Sequence, residues 1–149
     1  MAWDRETLIQ ILIEEARNPR MRGRLDDADV TVTGGNPGCG DVVHIYLKGT
    51  GDGHGIAGVK FEGSGCNVSQ AAASMLLQKV VDDGLTMDQV LHLRGEDMKQ
   101  FVGESALATR PRCATLALST LKEAVRQYRR QLRAEGKWQG PIDPTQESF

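Results

Sequence analysis

The sequence predicts an α+β fold: a small antiparallel β-sheet packed against several α-helices, in a single domain. Three observations carry that expectation. Eleven of the 17 glycines fall between Gly34 and Gly65, and the runs between them are rich in β-branched and aliphatic residues. Beyond Cys66 the pattern turns helical and stays so. After one opening helix, strands therefore precede helices instead of alternating with them, which separates α+β from α/β. The chain of 149 residues is long enough to bury a hydrophobic core of its own.

Residues Asp4 to Ala16 set Leu8, Ile9, Ile11, Leu12 and Ile13 among charges, the pattern of an amphipathic helix. Asn18-Pro19-Arg20 ends it, because a residue before proline is pushed out of the helical region. Val30-Thr31-Val32-Thr33 is a candidate strand, and Val42 to Leu47 and Ile56 to Phe61 are two more. Between the latter two, Gly49 to Gly55 reads as a hairpin loop. The stretch Gly53 to Gly58 matches G-x-G-x-x-G, but a strand follows it where a dinucleotide site needs a helix, so no nucleotide is expected there.

A helix is expected from Cys66 to a stop at Asp83-Gly84, carried by Ala71, Ala72, Ala73, Met75, Leu76 and Leu77. Thr86-Met87-Asp88-Gln89 has capping-box spacing and opens a short helix to about Leu93. Another short helix is expected from Glu96 to Val102. A long one runs from Cys113 to Glu135 on Leu116, Leu118, Leu121, Ala124 and Val125. Lys122, Arg126, Arg129, Arg130, Arg133 and Lys137 make that last helix basic. Such a run is ordinarily a solvated face, the sharper alternative being a docking surface for an acidic partner. Residues 1–136 are expected to form the domain, and 137–149, with two prolines and little pattern, a loosely ordered or only locally docked C-terminal tail.

The balance of charge excludes some functions. A net charge of -2 and a pI near 5.9 give no general basis for nucleic-acid binding. No apolar run reaches the roughly 18 residues of a membrane span. The N-terminus lacks a basic-then-apolar signal pattern, so a cytoplasmic location is expected. Three cysteines, an odd number, argue against a closed disulfide framework. In a reducing compartment such thiols read as metal ligands or reactive groups. The sequon Asn67-Val68-Ser69 then reads as chance.

Those cysteines are the most informative residues. Cys39 lies in Asn36-Pro37-Gly38-Cys39-Gly40-Asp41, Cys66 follows Gly65 at a helix start, and Cys113 follows Arg110-Pro111-Arg112 at another. Cys39 and Asp41 are two apart, so in an extended segment they point to one face. Helix N-termini favour the thiolate at Cys66 and Cys113, and Arg110 and Arg112 would lower the pKa of Cys113 further. Three soft ligands and one carboxylate make four, the usual count for a tetrahedral metal or an iron–sulfur cluster. A lone cysteine is more often a buried small hydrophobe, and Asp41 alone could cap a turn. All three cysteines, however, sit at glycine turns or helix starts, not inside apolar runs. His44 falls on the opposite strand face from Asp41, and His54 and His92 read as solvated; none has metal spacing to a cysteine.

These residues, in this order, resemble the iron–sulfur cluster assembly scaffolds of the IscU/SufU/NifU N-terminal family. The resemblance runs from Asn18-Pro19-Arg20 and Gly23, through Asn36 to Asp41 and Gly65-Cys66 with Ser69 and Ser74, to Arg112-Cys113-Ala114-Thr115-Leu116. It implies a SufE/NifU-like fold and a site made of Cys39, Asp41, Cys66 and Cys113. It implies that a cysteine desulfurase passes persulfide to a scaffold cysteine, with Cys39 and Cys113 the candidate acceptors and Arg110 and Arg112 in charge support. Iron, and electrons from a donor such as ferredoxin, would complete a [2Fe–2S] cluster for transfer to acceptor or carrier proteins. Asp41, a harder ligand than the thiolates, would ease release.

Two departures matter. Arg112 stands where IscU scaffolds carry a histidine, and Ala106-Leu107-Ala108-Thr109-Arg110 replaces their Leu-Pro-Pro-Val-Lys motif, which removes the basis for an Hsp70-type chaperone partner. The stretch Arg110-Pro111-Arg112-Cys113-Ala114-Thr115-Leu116 resembles instead the Arg-x-Lys-Cys-Ala-Thr-Leu of the zinc-binding SufU branch, yet only 46 residues separate Cys66 from Cys113, without room for the SufU insertion. The expectation is thus a [2Fe–2S] scaffold that is not an enzyme. The alternatives are a zinc-dependent, SufU-type sulfur acceptor on the same four residues, with Zn²⁺ in place of the cluster, and a plain zinc-stabilised interaction module. The oligomeric state stays open, a homodimer included.

Overall fold

A computed structural model describes residues 4–36 and 40–146. Helix α1 (Arg5–Arg17) begins where Asp4 accepts a hydrogen bond from the Thr7 N–H at 2.7 Å. Strands β1 (Val30–Asn36), β2 (Asp41–Gly49) and β3 (Ile56–Ser64) follow, then α2 (Asn67–Asp82), α3 (Met87–His92), a 3₁₀ turn (Gly95–Met98), α4 (Lys99–Thr109) and α5 (Pro111–Ala134). The sheet is antiparallel in the order β1-β2-β3. The expected α+β fold is what the chain adopts.

Alternation along the strands sorts the residues. Val43, Ile45 and Leu47 of β2, with Val59 and Phe61 of β3, turn inward and are almost wholly buried. His44 faces the other side, hydrogen-bonded to Thr33 Oγ1 at 2.7 Å, as its strand position implied. The helices cover the inner face: α5 lies across β1 and β2, and α2 packs between α5 and α1. Leu76, Leu77 and Leu121 complete the core, each burial contributing about 1.5–3 kcal/mol.

The capping box of α3 is present, with Thr86 Oγ1 accepting from Gln89 N–H and Gln89 Oε1 from Thr86 N–H. The helix expected over Glu96 to Val102 is instead a 3₁₀ turn running into α4, which is broken at Gly103 (φ +88°). Leu8 of α1 packs so close there that a Cβ would lie 2.3 Å from it.

The basic face of α5 needs correction. Arg129 is fully buried. Its guanidinium donates to Gly53 O in the β2–β3 loop (3.0 Å), to Ile142 O (3.1 Å) and to Asp88 Oδ1 of α3 (2.9 Å), and it stacks 4.3 Å over the Trp138 ring. The C-terminal segment is locally docked: Trp138 and Asp143 are buried while most residues around them are exposed, and Asp143 Oδ2 accepts from Arg126 at 3.0 Å. An arginine with no other partner would be too costly to bury, and the C-terminal segment supplies a carbonyl and an aromatic face.

Candidate functional site

Strand register sets the site. Asn36 pairs with Asp41 and Val42 with Ser64, so the β1–β2 connection and the exit from β3 meet at one end of the sheet. Gly65 follows β3, and Cys66 is the N-cap residue of α2. The first turn of α5 brings Cys113 to the same place. The Asp41 carboxylate and the sulfurs of Cys66 and Cys113 offer ligand atoms all within 4.8 Å of one another. Cys39 lies outside the described residues, two positions before Asp41 in the chain.

Asp41 is the hub and is 1% exposed. Its Oδ1 accepts from the Cys66 N–H at 2.8 Å and from the Ser69 hydroxyl at 3.2 Å. Its Oδ2 accepts from the Cys113 thiol at 2.9 Å. Burial pulls the Asp41 pKa upward, but the donors Cys113, Cys66 and Ser69 outweigh it and hold the carboxyl below its ordinary value. Gly65 makes this approach feasible: its φ is +146°, and a Cβ there would lie 2.0 Å from Asp41 Oδ1.

Cys113 departs from expectation. Burial pushes its thiol up to about 12, and the hydrogen bond to Asp41 and the proximity of Cys66 add to the rise. The predicted thiolate rested on the helix N-terminus, with Arg110 and Arg112 expected to lower the pKa further, yet both arginine side chains are exposed and the burial of Cys113 outweighs these effects. The reason is the helix start: α5 begins at Pro111, so Cys113 sits a full residue inside the first turn and faces inward while its arginine neighbours face solvent. The site is enclosed, with Asp41 and Cys113 buried and Cys66 half-buried. His54 and His92 are exposed and outside this cluster, as expected. Ser69 and Gln70, both buried, were not assigned to the site from sequence; Ser69 entered only among the residues of the resemblance, three residues and one helical turn after Cys66, and Gln70 not at all.

The donor set fits a metal or cluster. Two sulfurs and a carboxylate oxygen are the ligand types of zinc and iron–sulfur sites, and they are within reach of one ion. When bound, such an ion would supply positive charge that stabilises the thiolates.

Residues 9–135 match the NifU-like N-terminal domain family. The chain belongs to that family. It is 34% identical over 137 residues to the iron–sulfur cluster assembly scaffold protein IscU of Thermotoga maritima, covering 81% of this chain and 94% of that one. It is 31% identical over 131 residues to the zinc-dependent sulfurtransferase SufU of Bacillus subtilis, covering 78% of this chain and 87% of that one. Among solved structures, the N-terminal part of a nitrogen-fixing NifU-like protein from Brucella abortus superposes with a TM-score of 0.68, covering 82% of this chain and 94% of that one; at 24% identity this speaks to the NifU-like fold alone.

Proposed function

We propose that this protein is a scaffold on which a [2Fe–2S] cluster is assembled and handed on. The observation that carries the proposal is the convergence of Asp41, Cys66 and Cys113 at one end of the sheet, with ligand atoms within 4.8 Å, in a chain of the NifU-like N-terminal family. Cys39 would be the fourth ligand. The cluster is cargo, so the protein is not an enzyme under this proposal.

Sulfur arrives from a cysteine desulfurase. A scaffold thiolate, of Cys39 or Cys113, attacks the terminal sulfur of the desulfurase persulfide; the new S–S bond forms as the old one breaks, and the desulfurase thiolate leaves. For Cys113, the thiol donates to Asp41 Oδ2 at 2.9 Å, a contact that favours the protonated form, so its proton has to leave to solvent before the sulfur attacks. Electrons from ferrous iron and from a donor such as ferredoxin reduce the transferred sulfur to sulfide, and acceptor or carrier proteins take the cluster. Anaerobic reconstitution with ferrous iron and a sulfide source tests this. Cluster absorption in the visible range is expected, and none, with thiols intact, would sink the proposal.

A second possibility has its own support: a zinc-dependent sulfur acceptor with a sulfurtransferase role. Arg110 and Arg112 flank Cys113 in the chain and are exposed at the start of α5, where they would meet the charge of a persulfide only if Cys113 turned outward to receive it. The likeness to a zinc-dependent sulfurtransferase points the same way. Metal analysis after purification without added metal separates the two. Stoichiometric zinc that supports desulfurase turnover favours the sulfur acceptor. Among the described residues no helix is long and apolar enough to cross a membrane.

A further inference from the structure

We propose that Ser69 and Gln70 are positioning residues for Asp41, fixing Oδ2 as the one carboxylate oxygen offered to a metal or cluster. This rests on Asp41 being a ligand, as proposed above. The two oxygens of Asp41 are not equivalent. Oδ1 is taken by the Cys66 N–H and the Ser69 hydroxyl, while Oδ2 faces the Cys113 sulfur. With Oδ1 held, the carboxylate cannot grip an ion with both oxygens unless it gives up those donors, so it binds through one atom and lets go more readily.

Ser69 has one hydroxyl proton and two acceptors, Asp41 Oδ1 at 3.2 Å and Cys66 O at 3.0 Å. Gln70 steadies it: Gln70 Nε2 donates to Ser69 Oγ at 3.4 Å, filling the oxygen's acceptor side. Arg22 in turn donates to Gln70 Oε1 at 3.3 Å, which sets the amide with its NH₂ toward Ser69. A polar chain, Arg22–Gln70–Ser69–Asp41, thus leads from the surface segment after α1 to the ligand atom. Ser69 is 3% and Gln70 4% exposed, and burying polar side chains is costly unless they are hydrogen-bonded, which this chain of contacts provides. Hydrogen bonds of this kind orient ligating carboxylates and tune their hold on a metal.

The test uses the full chain, reduced and stripped with chelator, and Co²⁺ as the probe. Affinity is measured by chelator competition, and the ligand field by the visible spectrum. Ser69→Ala should weaken Co²⁺ binding by about ten- to a hundredfold and shift the d–d bands, while the sulfur-to-cobalt charge-transfer bands persist. Ser69→Thr, which restores the hydroxyl, should recover most of the affinity. Gln70→Met should move both readouts in the same direction by less, and it serves as the probe should Ser69→Ala not fold. Wild-type affinity and spectrum in Ser69→Ala, or no recovery in Ser69→Thr with the fold intact, would overturn the positioning role. Absence of charge-transfer bands in the wild type would overturn the ligand set itself, a distinguishable result.

Discussion

Gly65→Ala removes no functional group, yet it should disable the site. The added Cβ would stand 2.0 Å from Asp41 Oδ1 and 2.9 Å from both Asp41 Cγ and Ser69 Oγ. To reach the closest separation that real Cβ atoms show, about 3.0 Å, the carboxylate must retreat by about 1 Å. That retreat breaks its hydrogen bond with the Cys66 N–H, now 2.8 Å. Two costs add. An alanine held at φ +146° is strained by about 1–3 kcal/mol, and losing one charge-assisted buried hydrogen bond costs about 1.5–3 kcal/mol more. The sum, about 2.5–6 kcal/mol, corresponds to a fall in Tm of about 5–24 °C for a chain of this length. Thermal unfolding by far-ultraviolet circular dichroism reads the first effect and Co²⁺ titration the second. A variant that melts within about 2 °C of the wild type and binds Co²⁺ equally well would refute the inference that Gly65 holds Asp41 in place.

Other outcomes follow from the same geometry. Arg129→Ala removes three hydrogen bonds and the stack on Trp138, leaving Gly53 O and Ile142 O without that donor; a loss of about 3–5 kcal/mol is expected, with protease sensitivity rising first after residue 136, read by chemical denaturation and limited proteolysis. Asp41→Ala should lengthen the lifetime of a reconstituted cluster, because the exchangeable ligand is gone; faster loss of visible absorbance than in the wild type would contradict that role. Asp52 is held down to about 2 by the Thr50 hydroxyl and the backbone N–H groups of His54 and Gly55, below its ordinary 3.8. A depressed carboxylate contributes stability above its unfolded pKa and loses it as pH falls through the folded one. Wild type should therefore lose more stability than Asp52→Asn between about pH 4 and pH 2, seen in acid unfolding curves, the effect being small because the group is exposed.

How much was legible in the sequence depends on the range of the interactions. Strands, helix starts and the capping box at Thr86 rest on neighbours a few residues apart, so pattern alone finds them. Asp41, Cys66 and Cys113 come together because glycine turns and helix starts mark where the chain returns to one end of the sheet. Arg129 was illegible for the opposite reason. Within its helix it is one of several basic residues at regular spacing, and its burial depends on Gly53, Asp88 and Trp138, two of them distant in the chain. In the tail, likewise, two prolines signal irregular backbone but not where it docks. At Cys113, local charge suggested a thiolate, while the burial and the Asp41 contact that raise its pKa come from a strand 72 residues earlier.

The Arg129 cluster has a consequence for motion. It joins the β2–β3 loop, α3, α5 and the C-terminal segment at the end of the sheet remote from Asp41. The protein therefore has an anchored pole and a working pole. At the thiol end, Cys66 and Cys113 each reach Asp41 through one hydrogen bond, so breaking either would leave the anchor intact. Changes in those contacts at Asp41 therefore need not propagate to the far pole, where the core is tied by Arg129.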